Sequence, residues 1–398
     1  MSRGRSVPWL DEGKGEFMRK ILMIAPLLVA AASQALLADE GRIPIFRPTR
    51  ITQPGHYVVT RNIAVTAGVL LDIQAGGVTV DLNGHTLSSS SLTDDLVQLT
   101  CPGGVEPPDP EKLLNGNLIG GLNAIHAIPP GPCKLSLEDL QIGDPSIRAI
   151  FVEETGQVEI RGIIINYLQG SSGVPAIDLR ASSTRPRGSA QLARLVMNGV
   201  NPWGMFRHVV AHLSDGLVNL SGIVNPNSAV LSLVDAPGSS VRDFNINWVA
   251  PPDPDAPAIS LIASSGVLLD GNVVRCDGSV RTANLNHGIF VDAASHDAKI
   301  MNNTITGAGG DGIHVESRGN NLIGNLASGN TGNGIFVAGD NNLVDANKVA
   351  GNLRNGLFFN TAGTPLHVFR DNVLRGNAGP GVGGPFGTAV TDAGGNVQ

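Results

Sequence analysis

The sequence predicts an all-β fold, a single-stranded right-handed parallel β-helix of roughly 11–13 coils, and three observations carry that expectation. The chain repeats itself: G-I-x-V or its close variant opens units at Gly288, Gly312, Gly334 and Gly356, 22 to 24 residues apart. Each unit runs as a short apolar strand, a turn, a second short strand and an Asn-Gly-rich turn, with no helical period anywhere. Composition agrees, with 51 Gly and 42% hydrophobic residues against 15% charged and 4% aromatic, as many short strands closed by small turn residues require. An ordinary chain of 398 residues divides into domains. A solenoid instead lengthens one core by adding coils.

Taken in chain order, residues 1–17 read as an upstream extension ahead of Met18. Residues 18–38, MRKILMIAPLLVAAASQALLA, have the basic start, apolar centre and small-residue end of a signal peptide. Cleavage after Ala35 would start the exported protein near Leu36 or Asp39, in a secreted or periplasmic location. The apolar stretch is too short to span a bilayer comfortably, so no membrane span is expected after cleavage. Residues 39–67, containing ITQPGHYVVTRNI, are assigned as an N-terminal cap, and residues 68–398 as the β-helix. VTVDLNGHTL at 78–87 marks an early coil. AIHAI at Ala124, AIFVE at Ala149, AIDLR at Ala176, AVLSL at Ala229 and AISLI at Ala258 fit the first strand of later ones. Residues 180–206 break the spacing, which leaves either a loop insertion or one poorly patterned coil.

The formal net charge is −7 and no basic run occurs, so neither nucleic acid nor an anionic lipid surface is an expected partner. The three cysteines have no zinc-type spacing. Cys101 and Cys133 lie in Pro/Gly-rich loops of adjacent early coils and are expected to form a disulfide, while Cys276 reads as a small buried apolar residue. His56, His85, His208 and His212 fall near the cap or the irregular stretch and read as turn or core residues.

Asparagine has a period of its own. Asn303, Asn325, Asn347 and Asn372 recur at one phase, and Asn330, Asn352 and Asn377 each follow five residues later. In stacked coils equivalent residues lie about 4.8 Å apart, so these amides are placed to hydrogen-bond along the axis as ladders. That role is structural.

The phrases PGHYVVTRNI and VTVDLNGHTL and the GIxV…NNxIxxN units resemble bacterial right-handed β-helix repeat proteins with a pectin-lyase-like fold, over Ile51 to Asn396. The resemblance is specific for fold and weak for activity, since that fold serves lyases, hydrolases, epimerases, adhesins and binding proteins. Its enzymes mostly work on polysaccharides at the outer face of one parallel sheet, and their signatures are not intact in this chain. The Asp-Pro-His-Asp stretch of alginate epimerases has only SHDAK at 295–299 and DPDAP at 253–257 near it. The polygalacturonase segments reduce to His287-Gly288 and Gly310-Asp311-Gly312. No calcium-and-base trio of pectate lyase type is recognisable.

Alternation within G-I-x-V points the apolar pair inward and the x residue and its flanks outward. The x row then reads His126, Phe151, Asp178, Leu231, Ser260, Phe290, His314, Phe336 and Phe358. Two polar clusters follow. Arg148, Glu153, Asp178 and Arg180 have balanced signs and read as a surface ion-pair network. His287, Asp292, Asp311, His314 and Glu316 gather beside Phe290, Phe336 and Phe358. Asp292 and Glu316 should stack on successive coils with no cation in their rows, which raises one pKa or holds a cation such as calcium between them. The first function class is therefore binding or processing of a polysaccharide or cell-envelope glycan. Asp292, Asp311 and Glu316 would act as acid/base or metal-binding groups, His287 and His314 would assist, and the three Phe would meet the sugar. The second class is a non-catalytic envelope or surface rod, for which the Phe row only stabilises the stack.

Overall fold

Alternating short runs such as Ile313-His314-Val315 put two branched side chains on one face and one polar side chain on the other, and the chain coils to bury the first set. The computed structural model describes residues 41–101, 109–167, 174–183, 188–199, 204–221, 229–249, 257–276, 287–360, 366–385 and 390–398. The extension and signal segments, residues 1–38, lie outside these. Pro44–Gln398 is one compact unit. No helix occurs among the described residues.

Each pass of the chain gives one strand to a 14-stranded parallel sheet, here the first sheet. Fourteen stacked strands enclose thirteen turns of solenoid, in line with the repeat count. The rest of each pass runs through a 26-stranded sheet that bends between its second and third columns, as two short strands in most coils and as one long strand at Glu111–Gly120 and at Cys133–Gly143. Residues 49–65, assigned to the cap, already stack in register on the next coil: Thr49 opposes Leu71, Tyr57 opposes Val80 and Ile63 opposes Leu87. Inside, Ile289, Ile313, Ile335 and Leu357 form one buried row, and Val291, Val315, Val337 and Phe359 another. Burying each such side chain is worth about 1.5–3 kcal/mol, so every coil adds to the same core.

Of the two readings left open for residues 180–206, the poorly patterned coil is the one found: Gly188–Ala193, Val196–Gly199 and Gly204–Arg207 are strands, with Met205 opposite Asp178. One feature of the expected register is corrected. In AVLSL the register slips by one: Leu231 opposes Ile259 and is buried, and Ser232 is the outward residue. That run is apolar at three consecutive positions, so alternation alone does not place it. Cys101 and Cys133 are disulfide-bonded with their Cα atoms 5.2 Å apart.

The asparagine ladders form as the period requires. Asn272, Asn303, Asn325, Asn347, Asn372 and Asn396 each accept at Oδ1 from the preceding member, except the first, which accepts from the Phe244 N–H. They occupy the two-residue turn between the second and third columns. The residue before each one is left-handed: Gly271, Asn302, Gly324, Ala346, Asp371 and Gly395. Ala346 is the member that suits this least, at φ 56°. A left-handed residue bearing Cβ costs about 1–2 kcal/mol, and glycine removes that cost while adding some unfolded-chain entropy. Because Ala346 is exposed, Ala346→Gly should raise the unfolding free energy by about 0.5–1 kcal/mol in urea titration; no change or a loss would contradict the strain argument.

Candidate functional site

The outer face of the first sheet carries one central row along the axis: Gln98, His126, Phe151, Asp178, Met205, Ser232, Ser260, Phe290, His314, Phe336 and Phe358. Polar groups collect at two places beside it.

Toward the C-terminal end, Asp311 stands at the entry to its strand and is only 7% exposed. Its Oδ1 accepts from the Asn333 backbone N–H at 2.6 Å and the Asn333 side-chain amide at 2.9 Å. Its Oδ2 pairs with His314 Nδ1 at 2.8 Å. On the far side of that ring, His314 Nε2 lies 3.4 Å from Glu316 Oε1. His287, 6% exposed, accepts at Nδ1 from the Asp311 N–H at 3.0 Å. Its proton therefore sits on Nε2, which makes the ring a neutral hydrogen-bond donor. Burial, reinforced by the neighbouring His314, pushes the His287 imidazolium down to about 4. Burial alone would raise Asp311, but the hydrogen bond from His314, the two imidazoles and the Asn333 N–H outweigh it and hold the carboxyl below its ordinary value. The result is an ionised, oriented carboxylate behind one imidazole, with a second, neutral imidazole 4.2 Å away between ring centroids.

The pH dependence of stability follows from His287. Its folded pKa of about 4 lies below the unfolded value near 6.5, so the unfolded chain takes up the proton first as pH falls. Stability should be level above about pH 6.5 and fall by about 3 kcal/mol between pH 6.5 and 4 from this group alone. His287→Gln should flatten that part of a denaturation-against-pH curve; an unchanged slope would show that His287 is not buried neutral.

The row of rings is stacked. His314 lies 4.2 Å from Phe336 at 7° between planes, and Phe336 lies 5.5 Å from Phe358 at 11°. Phe290 meets His314 at 5.7 Å. Ring faces thus point along the axis into one another, and the sheet surface shows their edges. Within the stack face-on contact is used, most fully at Phe336, whereas Phe358 opposes Gly383 and Phe290 opposes Ser260 on their other sides.

The register does put Asp292 and Glu316 at equivalent places, one residue past the opposed pair Val291 and Val315. Their carboxylates have different partners. Asp292 accepts from the Ala263 N–H at 3.2 Å and from the Ser295 hydroxyl at 2.6 Å, which organises a turn, whereas Glu316 faces His314. Two such carboxylates fall short of the about six to eight oxygens that calcium takes. His287, Asp311 and His314 are the one group among the described residues with three ligand atoms close together, within 4.8 Å. Nitrogen donors do not suit calcium. The hydrogen bond into His287 Nδ1 and the proton it leaves on Nε2 also remove that ring as a ligand.

The second cluster, nearer the N-terminus, is more buried than a surface network. Asp178 is 0% exposed and meets Arg180 at 2.5 Å, Arg148 at 3.4 Å and Arg207 at 3.9 Å. Arg148 and Arg180 also lie over the Phe151 ring, at 4.1 and 4.9 Å. Beside them His126 is held between two carboxylates, Asp95 at 2.7 Å and Glu153 at 2.8 Å. Both ring nitrogens face carboxylates: burial opposes the imidazolium, but Asp95 and then Glu153 outweigh it and raise the pKa. Asp95, Arg207 and Asn123, which donates to Asp95 at 2.7 Å, were not expected members. Asp95 precedes its strand in a Ser/Thr/Asp turn, and Arg207 ends the strand concealed in the irregular stretch.

Residues 240–391 match the family model described as the right handed beta helix region. The chain is a right-handed parallel β-helix. No curated protein matches it by sequence. A mutant of the periplasmic alginate epimerase AlgG is similar at 11% identity and a TM-score of 0.53, covering 90% of this chain and 84% of its own. The mannuronan C-5 epimerase AlgE6 A-module of Azotobacter vinelandii is similar at 14% identity and a TM-score of 0.53, covering 86% and 90%. At such identities the likeness is one of fold. In this β-helix, no helix among the described residues is long and apolar enough to cross a membrane.

Proposed function

We propose that this β-helix is an exported protein that binds and processes polysaccharide on the outer face of its first sheet. The observation that carries the reading is the Asp311–His314 pair, a buried carboxylate behind a partly exposed imidazole on an open sheet face. Such a pair moves protons as general base and acid, with Asp311 fixing the ring and its tautomer. The neutral His287 Nε2–H would donate to an oxygen on which charge develops, and Glu316 would exchange a proton with His314 Nε2. Cleavage or epimerisation of a glycan both need this chemistry. An alginate epimerase and a mannuronan epimerase among the structural neighbours support the substrate class. The disulfide supports an oxidising compartment.

A panel of neutral, acidic and amino polysaccharides, incubated with and without a calcium chelator, tests the proposal. One class should be bound and turned over, and chelation should leave the rate unchanged. The rod reading, favoured by the stacked ring faces, would win if a folded protein bound none of them.

A further inference from the structure

On the second column of strands, a different face of the solenoid, a cavity of about 430 Å³ is lined by Arg161, Gln191, His212, Ser214, Ser240 and Arg242 among others. It arises from the register. One outward row reads Arg161, Ala193, Ser214 and Arg242 across four successive strands, so two short side chains separate two long cationic ones. The arginine Cα atoms are about 14 Å apart, three strand spacings. The neighbouring row reads Glu159, Gln191, His212 and Ser240. His212, exposed, shares a hydrogen bond with Ser240 at 3.0 Å. Arg161 is ion-paired with Glu159. Arg242 has no side-chain hydrogen bond or ion pair among the described residues. Asp270 opposes Arg242 on the next coil, and its Oδ1 already accepts from Asn302 at 2.9 Å.

We infer that this trough is a second binding site, for a saccharide unit bearing a carboxylate. Guanidinium groups at both ends present the forked donors that a planar carboxylate takes, in a chain of net charge −7. Between them, Gln191, His212, Ser214 and Ser240 offer paired donors and acceptors of the kind sugar hydroxyls need. No phenylalanine, tyrosine or tryptophan lines the cavity, and its one ring, His212, is hydrogen-bonded to Ser240, so the lining offers sugar hydroxyls more than it offers a stacked base. Ala193 and Ser214 leave the floor open where longer side chains would fill it. The volume lies within the range of about 300–1,000 Å³ usual for small-ligand sites. The choice of a saccharide rests on the polysaccharide reading of the first sheet, but the site shares no residue with it.

Calorimetric titration of the exported chain with a hexuronic acid trisaccharide, a neutral hexose trisaccharide and inorganic phosphate tests the site. The uronate should bind at least tenfold more tightly than either of the others. Arg242→Gln should weaken it at least tenfold, and Ser214→Tyr, which fills the trough without removing charge, should do the same. Thermal melts identify any variant that fails to fold. His314→Ala should leave this affinity unchanged, so loss of first-sheet turnover with the trough intact separates the two readings. Phosphate binding as tight as the uronate would reduce the trough to a simple anion site. Equal affinity for the neutral sugar, no measurable uronate binding, or unchanged binding in both trough variants would overturn the inference.

Discussion

Asn325→Ala should lower the unfolding free energy by about 3 kcal/mol or more, the largest effect expected of any turn substitution in the protein. Asn325 is fully buried and uses its whole amide. Its Oδ1 accepts from the Asn303 N–H and the Asn303 side-chain amide, both at 3.0 Å. Its Nδ2 donates to the Ile300 carbonyl at 2.8 Å and to Asn347 Oδ1 at 3.0 Å. Alanine leaves the buried Asn303 N–H without its acceptor and takes one bond each from the Asn303 amide, the Ile300 carbonyl and Asn347 Oδ1, of which the Asn303 amide keeps the Leu269 carbonyl and Asn347 Oδ1 keeps the Asn325 N–H. Each stranded buried group costs about 1–3 kcal/mol. Because each coil contacts mainly its neighbours, opening should begin locally. Hydrogen exchange of the backbone amides at 303 and 347 should quicken well before global unfolding does. A denaturation midpoint within error of the unsubstituted protein would show that the ladder is dispensable.

That ladder also shows why so much of the fold was readable. Asn303, Asn325, Asn347 and Asn372 announce the coil period because buried turn amides must be paired, and an asparagine both accepts from one coil and donates to the next. The same constraint is met earlier by Ser239, Ser264 and Ser295, which accept from backbone N–H groups one coil away. Serine is common in turns for other reasons, so its period carries no signal. Strand alternation located His314, Phe336 and Phe358 correctly and misplaced Leu231, the third apolar residue in a row after Ala229 and Val230. Outward direction was then mistaken for exposure: Asp178 and Asp311 project from the sheet, yet neighbouring side chains cover them. Asp292 and Glu316 show the limit most plainly, since equivalent positions share a height on the coil but not a bonding partner. Which carboxylate organises a turn and which faces an imidazole depends on side-chain torsions that no period encodes.

Asp311→Asn and His314→Ala should each lower kcat on the polysaccharide that the panel identifies by about 10²–10⁴-fold, with little change in KM. In Asp311→Asn the Oδ1 position can still accept from Asn333, so the strand entry should survive and the protein should fold. What changes is the group facing His314 Nδ1. An amide in place of the carboxylate no longer stabilises the imidazolium, and a side-chain NH₂ turned toward Nδ1 would force the proton onto Nε2, the nitrogen needed as base. The two substitutions act on one unit, so the double variant should be hardly slower than either alone. A purely structural pair would behave otherwise: melting temperature would fall in both variants while turnover per folded molecule stayed within about threefold of the original. That outcome would leave Asp311 and His314 as a buried polar brace between coils and would move the search for catalytic groups to His126, Asp95 and Glu153.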